Sequence, residues 1–111
     1  MFPPMQPDVP TLDVRDLDPA APLPEGATLL DVREQDEWDA GHAPGAVHIP
    51  LAELPVRHAE LDADAPVFVV CRTGGRSAQA TRFLVEAVGY DAVNLDGGMV
   101  SWSSRGLPVE S

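Results

Sequence analysis

A continuously apolar segment, VFVV at residues 67–70, is the feature that most constrains how this chain can fold. Three of its four residues are β-branched, which is typical of a strand buried on both faces. Strands of this kind belong to parallel sheets that helices cover on both sides. Further short strands are predicted at residues 11–14, 28–32, 45–50 and 92–95.

Helical segments are predicted between and after these strands, at residues 34–40, 51–61, 80–88 and 99–104. Acidic residues begin the first segment and Gly41 ends it, as the helix dipole and C-cap preferences favour. Pro55 must interrupt the second segment, and Gly89 ends the third. Strands that alternate with helices indicate an α/β domain built on a parallel sheet.

The size and composition of the chain fit one globular domain. It has 111 residues and a hydrophobic content of 44%, which is enough for one continuous core. Residues 1–10 contain four prolines and are predicted to form a flexible tail. A single domain is then predicted at residues 11–111.

Charge and cysteine content narrow the expected partners. A net charge of −11 argues against nucleic acid and anionic membranes, because an acidic surface repels both. The N-terminus lacks the features of a secretory signal, and no segment approaches the roughly 18 apolar residues of a membrane span. One cysteine cannot form an internal disulfide or a four-cysteine zinc site. We therefore expect a cytoplasmic protein with no metal and no cofactor.

The segment CRTGGRS, residues 71–77, joins the VFVV strand to a helix and is predicted to carry the chemistry. Ligands bind at this edge of open α/β sheets. Gly74 and Gly75 let the backbone turn and aim its N–H groups inward, and the helix adds its positive end. Arg72 and Arg76 add two positive charges to an otherwise acidic chain.

These features converge on the thiol of Cys71. Helix N-termini and nearby cations lower the pKa of a thiol, and the thiolate is the nucleophile. The same donors would stabilise an anionic persulfide, Cys–S–S⁻. A buried structural cysteine is the alternative. The functional interpretation requires a side chain that points at the Gly-Gly bend and is not closed off from solvent.

Six segments, in order along the chain, resemble the rhodanese family of sulfurtransferases. They are LLDVRE (29–34), EW (37–38), GHAPGAVHIPL (41–51), VFVVCRTGGRS (67–77), LDGGMVSW (95–102) and GLPV (106–109). The resemblance covers about residues 11–109. It implies a three-layer α/β/α sandwich with a central, mainly parallel five-stranded sheet.

The resemblance also implies a reaction in two halves. The Cys71 thiolate attacks the outer sulfur of thiosulfate and sulfite leaves, and the persulfide then passes its sulfur to a thiol or cyanide acceptor. The expected substrate-binding residues are Arg72, Thr73, Gly74, Gly75, Arg76 and Ser77. In this picture Arg72 and Arg76 could hold the sulfonate oxygens of the donor.

Three residues outside the loop are predicted to support the site. Asp31 and Arg33 match the DVR segment of the family, and we expect Asp31 to bond the loop backbone or an Arg, and Arg33 to pair with an acid. His42 lies in a Gly-His-x-Pro-Gly turn and is expected to be structural.

Three other aromatic and imidazole side chains are predicted to have no part in the chemistry. Trp38 and Trp102 are predicted to anchor the core, and His58 is predicted to lie on the surface.

Three other functions remain open at this point. A phosphatase of the same fold would place five residues between its cysteine and arginine, whereas four separate Cys71 from Arg76, so the shorter loop disfavours it. A non-catalytic interaction module is disfavoured because Cys71 and its loop are intact. A sulfur relay that hands the sulfur to a partner protein would use the same loop.

Overall fold

The central sheet has five strands, all parallel, within residues 9–111, which are the residues that the computed structural model describes. The strands are β1 (Thr11–Asp13), β2 (Thr28–Asp31), β3 (Val47–His48), β4 (Val67–Val70) and β5 (Ala92–Asp96). Their order across the sheet is β1-β5-β4-β2-β3. The predicted α/β fold with a five-stranded sheet is confirmed, and β4 occupies the central position that its apolar sequence requires.

The same residues form four α-helices: α1 (Gln35–Ala40), α2 (Leu54–Arg57), α3 (Gly75–Arg82) and α4 (Gly98–Ser104). The first three each connect two strands, and α4 follows β5. A π-helical turn, Phe83–Val88, continues α3 as far as Gly89. Pro55 does interrupt the second predicted segment. It lies in the first turn of α2, between 3₁₀ turns at Leu51–Glu53 and His58–Glu60, where its missing N–H has no intrahelical partner to lose.

The tail predicted at residues 1–10 falls mostly outside the described residues. Its last residue, Pro10, lies within them, and the Pro10 carbonyl accepts a hydrogen bond from Asn94 N–H at 2.8 Å. The chain is therefore already joined to β5 one residue before β1 begins.

Side chains alternate along β4 between two cores, one on each face of the sheet. Val67, Val69 and Cys71 belong to the core that includes Leu84, from the helical segment that follows α3. Phe68 and Val70 belong to the other core, which contains Trp102 from α4. The period-2 alternation of a strand thus places the Cys71 side chain on the α3 face.

Trp102 is 3% exposed, as its predicted role as a core anchor requires. The prediction that His58 lies on the surface is wrong. Its ring is half-buried, with edge contacts to Phe83 and Tyr90 at centroid distances of 5.7 Å and 6.1 Å.

The turn between β5 and α4 packs directly on the segment after β4. Gly98 adopts a φ of +56°, and a Cβ at this position would lie 2.4 Å from the carbonyl oxygen of Arg72 and 2.5 Å from that of Cys71. The backbone N–H of Met99 donates to the Cys71 carbonyl at 2.8 Å, and that of Val100 donates to the Arg72 carbonyl at 3.1 Å. Glycine is required here because both the conformation and the close approach exclude a side chain.

We expect Gly98→Ala to lower the free energy of unfolding by more than about 3 kcal/mol, because backbone strain adds to a clash with fixed carbonyls. Gly106→Ala is the matched control, since Gly106 also has a positive φ of +77° but nothing lies within 4 Å of its Cβ position. It should cost about 1–2 kcal/mol from strain alone. Urea unfolding of both variants measures the difference, and equal costs would contradict the close packing.

Candidate active site

Cys71 follows the last residue of β4 and points into the bend that leads to α3. Its Sγ accepts a hydrogen bond from Gly74 N–H at 3.1 Å. Gly74 has a φ of +130°, and a Cβ there would lie 2.7 Å from Asp96 Oδ1, so the bend depends on glycine at this position. Gly75 does not carry this requirement, because it begins α3 with open space around its Cβ position.

Cys71 is 1% exposed, so only a small part of it faces solvent. The side chain nevertheless points at the bend, as the contact with Gly74 N–H shows. Of the two geometric requirements set by the sequence, direction is met, but exposure is not, because Cys71 is buried. The sulfur lies inside the bend, among backbone amides.

A buried polar chain continues beneath the sulfur. The Cys71 thiol donates to Ser77 Oγ at 3.3 Å, and the Ser77 hydroxyl donates to Asn94 Oδ1 on β5 at 2.5 Å. Ser77 and Asn94 are 0% and 4% exposed, so both side chains must find their partners inside the protein. Ser77, predicted to bind substrate, is instead enclosed below the sulfur, where it can bond the sulfur itself.

Two opposing effects act on the pKa of Cys71. Burial raises the pKa because a buried thiolate loses its hydration. The hydrogen bond with the Ser77 side chain and those from the backbone N–H groups of Ser77, Gly74 and Thr73 lower it. The hydrogen bonds outweigh burial, and the pKa of Cys71 lies below its ordinary value. The arrangement therefore favours the nucleophilic form of the sulfur.

Arg72 and Arg76, both expected to hold an anionic donor, differ in their surroundings. The side chain of Arg72 is exposed and makes no hydrogen bond or ion pair with the rest of residues 9–111. Arg76 forms a bidentate ion pair with Glu37 of α1, with N–O distances of 2.7 Å and 2.9 Å. Thr73 is exposed beside Arg72. Arg72 can therefore meet an incoming anion directly, whereas Arg76 is already engaged.

The Glu37 carboxylate is held from two sides. Besides Arg76, it accepts a hydrogen bond at 2.9 Å from the backbone N–H of Glu34, the residue that caps α1. The guanidinium of Arg76 is the main cause that lowers the pKa of Glu37 to about 2. The same contact raises the pKa of Arg76 above its ordinary value.

Asp31 and Arg33 form a buried pair at the end of β2, with Asp31 0% and Arg33 7% exposed. The shortest contact is Arg33 Nη2 to Asp31 Oδ2 at 2.8 Å, and Arg33 N–H donates to Asp31 Oδ1 at 3.0 Å. Arg33 Nη2 also donates to the Gly41 carbonyl at 2.8 Å. The pair thus fixes the end of α1, the helix that presents Glu37.

His42 is joined to α1 and to the chain end. Its Nδ1 lies 2.9 Å from the Trp38 carbonyl, and its ring stacks on Trp38 with a centroid distance of 3.6 Å. Its backbone pairs with that of Glu110. His48 stacks on Trp38 at 4.7 Å, so Trp38 is half-buried between two imidazoles rather than placed in either core.

The sequence did not predict that Glu37 and Asn94 lie at the site. Asn94 had a signal, because a lone amide inside the apolar strand AVNLD must have a buried partner. Glu37 stands in the EW segment of the family resemblance, but nothing there indicated its partner. Arg76 is 39 positions away, and an acid in a first helical turn has a local explanation.

Residues 9–111 contain neither a cluster suited to a metal ion nor a helix suited to cross a membrane. In this part of the chain, His, Cys, Asp and Glu side chains form no cluster of three or more that could hold a metal ion. None of its helices combines the length and apolar character needed to cross a membrane.

Comparisons with known proteins agree on one family. The protein-family model described as "Rhodanese-like domain" matches residues 6–105 of this chain. A protein of Allochromatium vinosum named Sulfurtransferase is 38% identical over 86 residues, which are 77% of this chain and 79% of that protein. The crystal structure of a rhodanese-like domain protein from Staphylococcus aureus superposes with a TM-score of 0.78 at 31% identity, covering 92% of this chain and 99% of that one.

One similar protein is much longer. An HTH-type transcriptional regulator of Mycobacterium tuberculosis is 44% identical over 85 residues, which are 75% of this chain but 37% of that protein. The chain thus spans little more than a third of the regulator's length.

We expect Ser77→Ala to raise the pKa of Cys71, because it removes a hydroxyl that bonds the sulfur. The pH profile of alkylation by iodoacetamide, followed by intact mass, should move to higher pH, with a rate at pH 7 about three- to tenfold lower. Ser103→Ala on the exposed face of α4 is the control and should leave the profile in place. An unchanged profile for Ser77→Ala would show that the hydroxyl does not tune the thiol.

The Glu37–Arg76 pair should stabilise the fold by about 1 kcal/mol at neutral pH. Because the folded pKa of Glu37 is about 2 against 4.5 ordinarily, this contribution is present above pH 4.5 and is lost as the pH falls toward 2. The difference in melting temperature between wild type and Glu37→Gln should therefore narrow below pH 4.5.

Asp36→Asn removes a charge from the same helix and serves as the control, because Asp36 has no ion-pair partner within the described chain. A Glu37→Gln difference that stayed constant down to pH 3 would be inconsistent with an ionic origin.

Proposed function

Because this chain belongs to the rhodanese-like domain family, we propose that it is a sulfurtransferase that carries a sulfane sulfur as a persulfide on Cys71. Thiosulfate, or another persulfide donor, would supply the sulfur. A thiol, cyanide or a sulfur-accepting protein would take it away. A reducing compartment such as the cytoplasm would keep the lone thiol available.

The observation that carries the proposal is the set of hydrogen-bonding groups gathered around one sulfur. Gly74 N–H at 3.1 Å and Ser77 Oγ at 3.3 Å both contact Sγ. These are the groups that stabilise a thiolate, and they suit an anionic persulfide equally. A cysteine kept only for packing needs no such donors.

In the first half-reaction, the Cys71 thiolate attacks the outer sulfur of thiosulfate. A Cys71–sulfur bond forms, the sulfur–sulfur bond of thiosulfate breaks, and its electron pair leaves with sulfite. The persulfide keeps one negative charge, so Cys–S⁻ and S₂O₃²⁻ give Cys–S–S⁻ and SO₃²⁻. The loop amides hold the charge throughout, and Arg72 is the exposed cation placed to meet the donor.

In the second half-reaction, the acceptor attacks the outer sulfur of the persulfide and Cys71 leaves as the thiolate. Cyanide would give thiocyanate, and a thiolate acceptor would give its own persulfide. The groups that lower the pKa of Cys71 also make it a better leaving group. A sulfur relay to a partner protein uses these same two steps with a protein thiol as acceptor.

We expect wild-type protein incubated with thiosulfate to gain the mass of one sulfur atom, and cyanide to remove it with release of thiocyanate. Intact mass spectrometry measures both steps. Cys71→Ser is the matched variant and should gain nothing, because a serine hydroxyl is a far weaker nucleophile at neutral pH. Loading of Cys71→Ser, or no loading of wild type by any sulfane donor, would refute the proposal.

An aryl phosphate assay tests the phosphatase alternative. Four residues separate Cys71 from Arg76, and Arg76 is engaged with Glu37, so we expect no turnover. Hydrolysis that depended on Cys71 would favour the phosphatase instead.

A further inference from the structure

Three guanidinium groups lie at or beside the cysteine loop, and two of them are neutralised. Arg33 is paired with Asp31, and Arg76 is paired with Glu37. Arg72 is the one whose side chain has no acidic partner among residues 9–111. With Cys71 as a thiolate, the positive charge of Arg72 is balanced, and the formal charge of this group of residues is zero.

Glu37 lies where an incoming donor would experience its charge. Its side chain is 26% exposed and lines a groove of about 450 Å³ between α1 and α4. Arg72 lines the same groove, together with Met99 and Val100, whose N–H groups bond the cysteine loop. An anion that approaches Arg72 through this groove therefore also approaches the Glu37 carboxylate.

Arg76 is already bonded to Glu37 through both of its terminal nitrogens. A donor oxygen would have to replace both charge-assisted hydrogen bonds to Glu37, at 2.7 Å and 2.9 Å. Glu37 cannot follow Arg76 freely either, because it also accepts from the backbone N–H of Glu34. Because Glu37 neutralises Arg76, the positive charge of Arg76 is not available to a dianion such as thiosulfate, which would need it.

We propose that Glu37 is a specificity-determining residue that disfavours dianionic donors and favours donors with one negative charge. Suitable donors would be of the class R–SO₂–S⁻ or R–S–S⁻. The inference rests on the sulfurtransferase function proposed above and names its substrate class. Glu37 acts on the charge of the donor and through Arg76, and it does not touch the reacting sulfur.

Two donors that differ by one charge make the test. Thiosulfate is a dianion, whereas methanethiosulfonate, CH₃SO₂S⁻, is a monoanion. Both yield an outer sulfur to the thiolate: the first releases sulfite and the second methanesulfinate, and each leaves the same Cys71 persulfide. The rate constant for loading, per unit concentration of donor, is measured for each by intact mass.

For each variant, the ratio of the two rate constants is divided by the same ratio for wild type. This division removes the difference in intrinsic reactivity between the two donors. In Glu37→Gln, loss of the carboxylate should shift this ratio about three- to tenfold toward thiosulfate. The Glu37 carboxylate repels the dianion twice as strongly as it repels the monoanion, so its removal helps the dianion more. Added salt should reduce the shift. Glutamine can still accept the bond from Glu34 N–H, so the start of α1 is kept.

Two further variants show whether the shift in the ratio is specific to Glu37. Asp36→Asn removes an exposed charge from the same helix turn and should leave the ratio unchanged. Arg76→Gln leaves Glu37 without its partner and should shift the ratio away from thiosulfate. It also provides an independent test if Glu37→Gln fails to fold.

The outcomes separate the two proposals. If wild type is loaded by neither donor, the sulfurtransferase function fails and this inference with it. If both donors load Cys71 but the ratio is the same in wild type, Glu37→Gln and Arg76→Gln, the function stands and the role of Glu37 is wrong. An equal shift in Asp36→Asn would also overturn it, since it would reflect the total charge of the chain.

Discussion

The close contact between the β5–α4 turn and the cysteine loop is the constraint on which the site depends. N–H groups of Met99, Val100 and Gly97 bond the carbonyls of Cys71, Arg72 and Thr73. In a planar trans peptide the carbonyl and the following N–H point in opposite directions. Carbonyls drawn toward α4 therefore turn the next N–H groups, including that of Gly74, toward the sulfur. The absence of a side chain at Gly98 makes this approach possible.

Helix α1 is held mainly by polar contacts and ring stacking. None of its six residues, Gln35–Ala40, is fully buried, so core packing contributes little to its position. Instead, the Arg33–Asp31 pair bonds the carbonyl of Gly41 just after the helix ends, and Arg76 bonds Glu37 in its first turn. Stacking of Trp38 between His42 and His48 adds a third attachment. Ion pairs, hydrogen bonds and ring stacking therefore place Glu37 at the groove.

The sequence predicted the fold and the glycine bend beside Cys71 well, because both depend on local patterns. Apolar β4, the glycine bend and the start of α3 are adjacent in the chain, and periodicity and turn chemistry describe them. The partners of Arg76 and Ser77 were not predictable in this way. Glu37 and Asn94 lie 39 and 17 positions away, and only the packing of α1 and β5 brings them close. Likewise, Gly75 was assigned a backbone role that falls to Gly74, since spacing alone cannot distinguish neighbouring glycines.

The alternation of side chains along β4 has a consequence for how this protein can change over evolution. Cys71 belongs to the same core as Val67 and Val69, so the parity that buries the strand is also the parity that aims the thiol. Inserting or deleting a single residue in β4 would exchange the two faces and send the sulfur toward α4, away from Ser77. Surface loops can vary in length independently of the chemistry, whereas the central strand can accept substitutions but no change in the count of its residues.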